Sequence, residues 1–207
     1  GDGLAHAVIL SPKGTRIVSD RVSAMDAVRE RVLSRLITHG VERREELFLL
    51  ASGATSDTYV DVKRAICEGS VLADVAELIV AEAEALKLDF NVVGGMTMGA
   101  DAISAVVSIR SGTRWFSVRK QPKGRGHEQW IEGARLDSTS RALLVEDVIS
   151  TGASTLTALE KVEATGATVV GVVPLVDRGD AAGKLFSDLG VPYAAVFTYR
   201  KLGISAV

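Results

Sequence analysis

The sequence predicts an α/β fold with a mainly parallel central sheet flanked by helices. Two observations carry this expectation. From residue 90 onward, apolar runs of strand length alternate with stretches whose apolar residues recur at helical spacing, the rhythm of βαβ units that cover a parallel sheet on both faces. The chain has 207 residues, 47% of them hydrophobic, which is enough for one sizeable core and therefore for one domain.

The elements follow in order. Over residues 24–38, Val28, Val32, Leu33 and Leu36 recur at helical spacing among Arg and Glu, and His39-Gly40 supplies a stop, so an amphipathic first helix is expected. Residues 47–62 hold two short apolar runs around Ser52-Gly53-Ala54-Thr55-Ser56, where Gly and hydroxyl residues favour a turn, giving a hairpin-like hood. Val71, Leu72, Val75, Leu78, Ile79 and Leu86 mark a second long helix. Strands are then expected at 90–93, 115–118, 142–145, 168–175 and 193–197, with helices near 99–109, 153–165 and 181–189. The polar stretch 119–128, with Pro122, Gly124, Gly126 and His127 among its cations, reads as an exposed, mobile loop. The sequence opens at Gly1 and Met25 offers a start, so residues 1–24 are expected to be an N-terminal extension or an expression remnant. Residues 25–207 then form the single domain, with the hood at about 41–65 and the core at about 66–207.

Composition excludes several function classes. Lys+Arg 24 against Asp+Glu 26 leaves a formal net charge of -2, so no global basic field recruits nucleic acid or an anionic membrane. No apolar run approaches the roughly 20 residues that span a bilayer. Cys67 is the single cysteine. It allows neither an internal disulfide nor a Cys-based zinc site, fits a reducing cytoplasm, and is expected to be buried as a small hydrophobe.

One stretch asks for chemistry. LLVEDVISTGAST, residues 143–155, ends an apolar strand in Glu146 and Asp147 and opens a helix with Ser150, Thr151, Gly152, Ser154 and Thr155. Ligands of open parallel sheets bind beyond the carboxyl ends of strands. Backbone N–H groups at the helix start, joined by hydroxyls, can cradle a phosphate dianion, and Gly152 lets the backbone come close. Two carboxylates beside a phosphate need another partner, and ribose hydroxyls or a hydrated Mg²⁺ would satisfy them. A ribose 5-phosphate is the implied ligand; a plain strand end and helix cap would need only one such residue.

The same stretch resembles the phosphoribosyl pyrophosphate (PRPP) motif of type I phosphoribosyltransferases. Three others, FLLASGATSDTYVDVKRA (48–65), VRKQPKGRGHEQWIEG (118–133) and LVDRGD (175–180), make the chain similar to the orotate phosphoribosyltransferase family across roughly residues 24–197. The resemblance implies the type I phosphoribosyltransferase fold with a small hood and a flexible catalytic loop. It also implies transfer of the phosphoribosyl group of PRPP to orotate, with Mg²⁺ held mainly by PRPP and water, in a cytoplasmic homodimer.

In its terms, Glu146 and Asp147 hold the ribose hydroxyls, and Val148, Ile149, Ser150, Thr151, Gly152, Ala153, Ser154 and Thr155 complete the PRPP motif. Arg119, Lys120, Lys123 and Arg125 belong to a loop that closes over the neighbouring subunit's PRPP, with Lys123 catalytic. Ser52, Gly53, Tyr59, Ser150 and Arg178 contact orotate, Arg178 through its carboxylate. Gly94, Gly95 and Gly99 form the pyrophosphate loop. Where the family often carries lysine before Ser-Gly and inside that loop, this chain has Ala51 and Met98. Transfer to another nucleobase, or a non-catalytic PRPP-binding regulator, stand as alternatives.

Overall fold

In the computed structural model the described residues are 12–49, 53, 55–123 and 129–207. Helix α1 (Pro12–Arg35) leads through a π-helical turn (Leu36–Gly40) into a hairpin of β1 (Val41–Leu49) and β2 (Thr55–Val60). Short α2 (Val62–Ala65) and long α3 (Gly69–Ala85) follow. The alternating part comprises β3 (Val92–Gly94), α4 (Asp101–Ser111), β4 (Arg114–Lys123), β5 (Gln129–Gly133), β6 (Arg141–Ile149), α5 (Ala153–Glu163), β7 (Thr168–Asp177), α6 (Ala181–Asp188), β8 (Phe197–Thr198) and α7 (Tyr199–Leu202).

Six strands form one sheet in the order β5-β4-β3-β6-β7-β8, parallel throughout except where β5 returns antiparallel to β4. The chain builds outward from β3 to β5, then comes back to lay β6 on the other side of β3. The order therefore reverses between β3 and β6, and crevices at such reversals are where α/β sheets bind ligands. Alternation along β6 feeds two apolar layers: Leu143 and Val145 pack with α3 and α4, while Ala142 and Leu144 pack with α5 and α6. The hood hairpin forms its own two-stranded sheet.

Several details differ from the sequence reading. Helix α1 begins at Pro12, whose fixed φ suits a first helical turn, and runs straight through the boundary expected at residue 24. Residues 119–123 extend β4 instead of forming loop, because residues 129–133 fold back and pair with it, Val118 opposite Ile131 and Lys123 opposite Gln129. Pro122, which has no N–H to give a ladder, falls where the register shifts. Residues 124–128, with Arg125 and His127, lie outside the described residues, as do Ala51 and Ser52. Cys67 is exposed, not buried: it sits in the short link between α2 and α3, which runs over the surface. The last strand is only two residues long, and Tyr193 contributes an isolated bridge to Val172 just after Pro192. Among the described residues no helix is long and apolar enough to cross a membrane.

Candidate active site

At the carboxyl end of β6 the acidic pair lies within the strand, since pairing with β7 continues through Ile149 opposite Asp177. Glu146 and Asp147 are both buried, and each is held by local backbone: Asp147 N–H donates to Glu146 Oε1 at 3.2 Å, and Val148 N–H donates to Asp147 Oδ1 at 2.7 Å. Burial, reinforced by the charge of Asp147, pushes the Glu146 carboxyl well above the usual range. The two acids share the near side of Gly99, where an added Cβ would collide with Glu146 Oε1 and Asp147 Oδ1 together. Only a residue without a side chain lets the loop after β3 approach both carboxylates.

Helix α5 starts behind Gly152, which takes φ of +85° and offers no side-chain cap. The first amides of the helix are thus left to face the cavity, with Thr151 Oγ1 reaching only the N–H of Ala153 at 3.4 Å. Thr155 Oγ1 is buried and has no hydrogen-bond partner among the described residues. An open helix N-terminus with an unsatisfied buried hydroxyl beside it is built to receive an anion.

Arg178 comes from the turn after β7. It is 3% exposed, anchored by its N–H to Ile149 O at 2.8 Å, and its Nη2 donates to Ser56 Oγ in the hood at 3.4 Å. Its Nε has no partner among the described residues. Burial lowers its pKa, opposed by the charge of Asp57, yet a guanidinium stays protonated at any ordinary pH. A buried arginine with a free donor calls for an anionic ligand group. The turn that presents it is braced by Asp177, which accepts from Gly179 N–H at 3.0 Å and from the Tyr193 hydroxyl at 2.6 Å.

These groups line one cavity of about 400 Å³, shared by Tyr59, Lys120, Gly99, Glu146, Asp147, residues 148–155 and Arg178. Tyr59 is 40% exposed, with Phe48 edge-on at 6.1 Å and the Arg44 guanidinium over its ring at 5.6 Å. A second cavity adjoins it, lined by Arg119, Gln121 and Glu132 among others. There Arg119 donates to Gln121 O and to Glu132 Oε1 at 3.3 Å. Among the described residues no three His, Cys, Asp or Glu side chains gather as a metal cage.

Comparison with known proteins decides the family. No family model matches the chain. The orotate phosphoribosyltransferase of Streptomyces avermitilis is 37% identical over 186 residues, spanning 87% of this chain and 100% of that one. The chain belongs to the orotate phosphoribosyltransferase family. A solved orotate phosphoribosyltransferase from Mycobacterium tuberculosis H37Rv, in complex with PRPP, matches with TM-score 0.71 at 31% identity, covering 86% of this chain and 99% of that one. A phosphoribosyltransferase from Corynebacterium diphtheriae matches with TM-score 0.74 at 29% identity over 86% of this chain and 99% of its own. The expected α/β architecture with a mostly parallel sheet is borne out.

For this orotate phosphoribosyltransferase family member the fold gathers some of the expected site residues and separates others. Gly94 and Gly95 do not line the cavity. Their missing side chains serve packing, against Phe116 for Gly94 and against Val145 O and Ala100 for Gly95. Gly53 is exposed in the connection between β1 and β2 and is likewise absent from the lining. Ser52, Arg125 and the side chain of Lys123 fall outside the described residues. The sequence reading passed over Lys63, whose Nζ donates to Asp147 Oδ2 at 2.5 Å, and Thr97, whose hydroxyl donates to Asp101 Oδ2 at 2.7 Å on the loop beside the acids. Lys63 lies in the quoted stretch 48–65, but Tyr59 is on β2 and Lys63 on α2, so no helical spacing links them and the pairing with Asp147 had no signal in the sequence.

Proposed function

We propose that this protein transfers the phosphoribosyl group of PRPP to N1 of orotate, giving orotidine 5′-monophosphate and pyrophosphate. One observation carries the reading: a buried guanidinium, Arg178, whose Nε has no partner among the described residues, shares a cavity with an acidic pair and a helix N-terminus without a side-chain cap. A phosphorylated ribose answers the last two, and orotate, a planar base bearing a carboxylate, answers the first. A neutral base would leave Arg178 without its counter-charge, which favours orotate over the other nucleobases.

In this reading residues 150–155 grip the 5′-phosphate, and Glu146 and Asp147 accept from the ribose hydroxyls, lending negative charge near the anomeric carbon as its bond to pyrophosphate weakens. Ser150 and Arg178 hold orotate, and Tyr59 lies against its ring. Gly99 brings the loop after β3 to the diphosphate. Mg²⁺ would be held mainly by PRPP and water, with the carboxylates of Glu146 and Asp147 close enough to favour a cation beside the sugar. When bound, that ion neutralises charge on the leaving group. The enzyme works as a cytoplasmic homodimer, residues 25–207 acting as one domain. The β4–β5 hairpin brings Arg119, Lys120, Lys123 and Arg125 over the neighbouring subunit's PRPP, and Lys123 neutralises the departing pyrophosphate while the closed hairpin excludes water.

Incubating the purified protein with PRPP and Mg²⁺ and following orotate absorbance tests this. Orotate is expected to disappear while uracil, adenine and hypoxanthine do not; an unchanged orotate signal, or consumption of a neutral base instead, overturns it.

A further inference from the structure

We propose that Lys63 is a binding residue for the diphosphate of PRPP, and that it holds Asp147 until the sugar hydroxyls take its place; the inference rests on the function proposed above. Lys63 stands on α2, which is fixed in the body of the protein. Val62 and Ala65 are buried on either side, Asp61 caps the helix by accepting from Arg64 N–H at 3.1 Å, and Asp61 N–H donates to Gly40 O at 2.7 Å. Any movement of the ammonium therefore belongs to its four-carbon stem, not to the backbone.

The environment of the pair is one-sided. The Lys63 side chain is 55% exposed and that of Asp147 11%, so the carboxylate is fixed while the ammonium can turn toward solvent. Burial draws the Lys63 pKa down, but the hydrogen bond and charge of Asp147 outweigh it and the net direction is up, which keeps the group cationic at neutral pH. Two buried carboxylates here face one ammonium. A diphosphate arriving beside the acidic pair, whose members each accept from a neighbouring backbone amide, meets like charge at Asp147, and a cation able to turn to it offsets that repulsion.

Position makes Lys63 that cation. Lys63, Thr97, Gly99 and Lys120 line both the phosphate-and-acid cavity of about 400 Å³ and the adjoining one of about 820 Å³. They form the seam between the two, and two of the four are cations. PRPP carries its 5-phosphate and its diphosphate at opposite ends of the ribose, with the hydroxyl edge between. With the phosphate on α5 and the hydroxyls on the acid pair, the diphosphate is left to the seam. Asp147 Oδ1 already accepts from Val148 N–H, so Oδ2, the atom Lys63 now occupies, is the one free to take a ribose hydroxyl. Exchange of Lys63 from Asp147 Oδ2 to the diphosphate serves both contacts at once.

The test compares wild type, Lys63→Met and Lys63→Arg by calorimetry with Mg²⁺ and three probes: PRPP, pyrophosphate and ribose 5-phosphate. Lys63→Met is expected to weaken PRPP and pyrophosphate at least tenfold, to leave ribose 5-phosphate and the KM for orotate within twofold, and to regain most of the loss as Lys63→Arg. Unchanged affinity for PRPP and pyrophosphate overturns the proposal. Equal weakening of ribose 5-phosphate also overturns it, since Lys63 would then act only by positioning Asp147. Melting curves of both variants check that the chain is folded. If wild type binds neither PRPP nor ribose 5-phosphate, the proposed function itself fails, an outcome distinct from a wild type that binds PRPP and a Lys63→Met variant that binds it equally well.

Discussion

Arg178 Nη2 lies 3.4 Å from Ser56 Oγ, so the turn after β7 in the core touches the hood across 122 positions of sequence. That contact seats the guanidinium on the hood side of the cavity, and Nε has no partner among the described residues. Arg178→Ala is expected to raise the KM for orotate roughly 10–100-fold, the worth of a charge-assisted pair, while PRPP affinity stays within twofold. Steady-state kinetics with each substrate varied in turn checks this; an unchanged orotate KM removes Arg178 from the base site.

The brace behind Arg178 gives a second expectation. Tyr193→Phe deletes the hydroxyl that donates to Asp177 Oδ2 at 2.6 Å and leaves a buried carboxylate short of a donor. The cost is about 1–3 kcal/mol, or roughly 2–4 °C of Tm for each kcal/mol in a chain of this size. Because Asp177 also accepts from Gly179 N–H, the orotate KM should rise with it while the PRPP KM does not. Thermal melts and kinetics on the same preparation separate the two effects.

Glu146 trades stability for function. The folded protein raises its pKa above the ordinary 4.5, so the folded state binds that proton more tightly than the unfolded chain does. Stability therefore falls as pH rises from about 4.5 through the folded pKa, and the cost of the ionised group is fully present above it. Glu146→Gln should raise Tm at neutral pH by about 2–4 °C, with the gain shrinking to nothing as the pH approaches 4, and should lower turnover at least tenfold. A Tm gain that is constant across pH would contradict the assigned cause.

Gly99→Ala places a methyl against both carboxylates. Overpacking of this kind costs about 1–3 kcal/mol, and here the strain would fall on the acids themselves. The expected result is a loss of kcat/KM for PRPP of at least tenfold with a modest drop in Tm. Wild-type kinetics from the alanine variant would show that the close approach is not needed.

If the β4–β5 hairpin serves the neighbouring subunit, two impaired variants should rescue one another when assayed at orotate concentrations well below the KM of Arg178→Ala. Lys123→Ala alone is expected to lower kcat by orders of magnitude with PRPP still bound. Mixed with Arg178→Ala it should form hybrid dimers holding one intact site, about a quarter of wild-type turnover on random association. No activity above that of the separate variants would mean that hairpin and cavity act within one chain.

The sequence by itself determined the alternation of strands and helices, the parallel sheet and the place of the acid pair before an open helix start, because each of these is set by local spacing. The apolar period fixes the buried faces, and Gly152 with its hydroxyl neighbours fixes how α5 begins. What the sequence missed depended on contacts between distant segments. The extension of β4 through Lys123 exists because residues 129–133 pair with it, and a polar, proline-bearing run carries no strand period of its own. Gly94, Gly95 and Gly99 look alike in sequence, yet only the tertiary arrangement turns two toward neighbouring strands and helix and the third toward the carboxylates. The same holds for Lys63, an ordinary basic residue on a four-residue helix until the hood and core bring it within 2.5 Å of Asp147, 84 positions away. Charge placement of that kind is decided by three-dimensional proximity, since an ion pair depends on distance and burial and leaves no periodic trace along the chain.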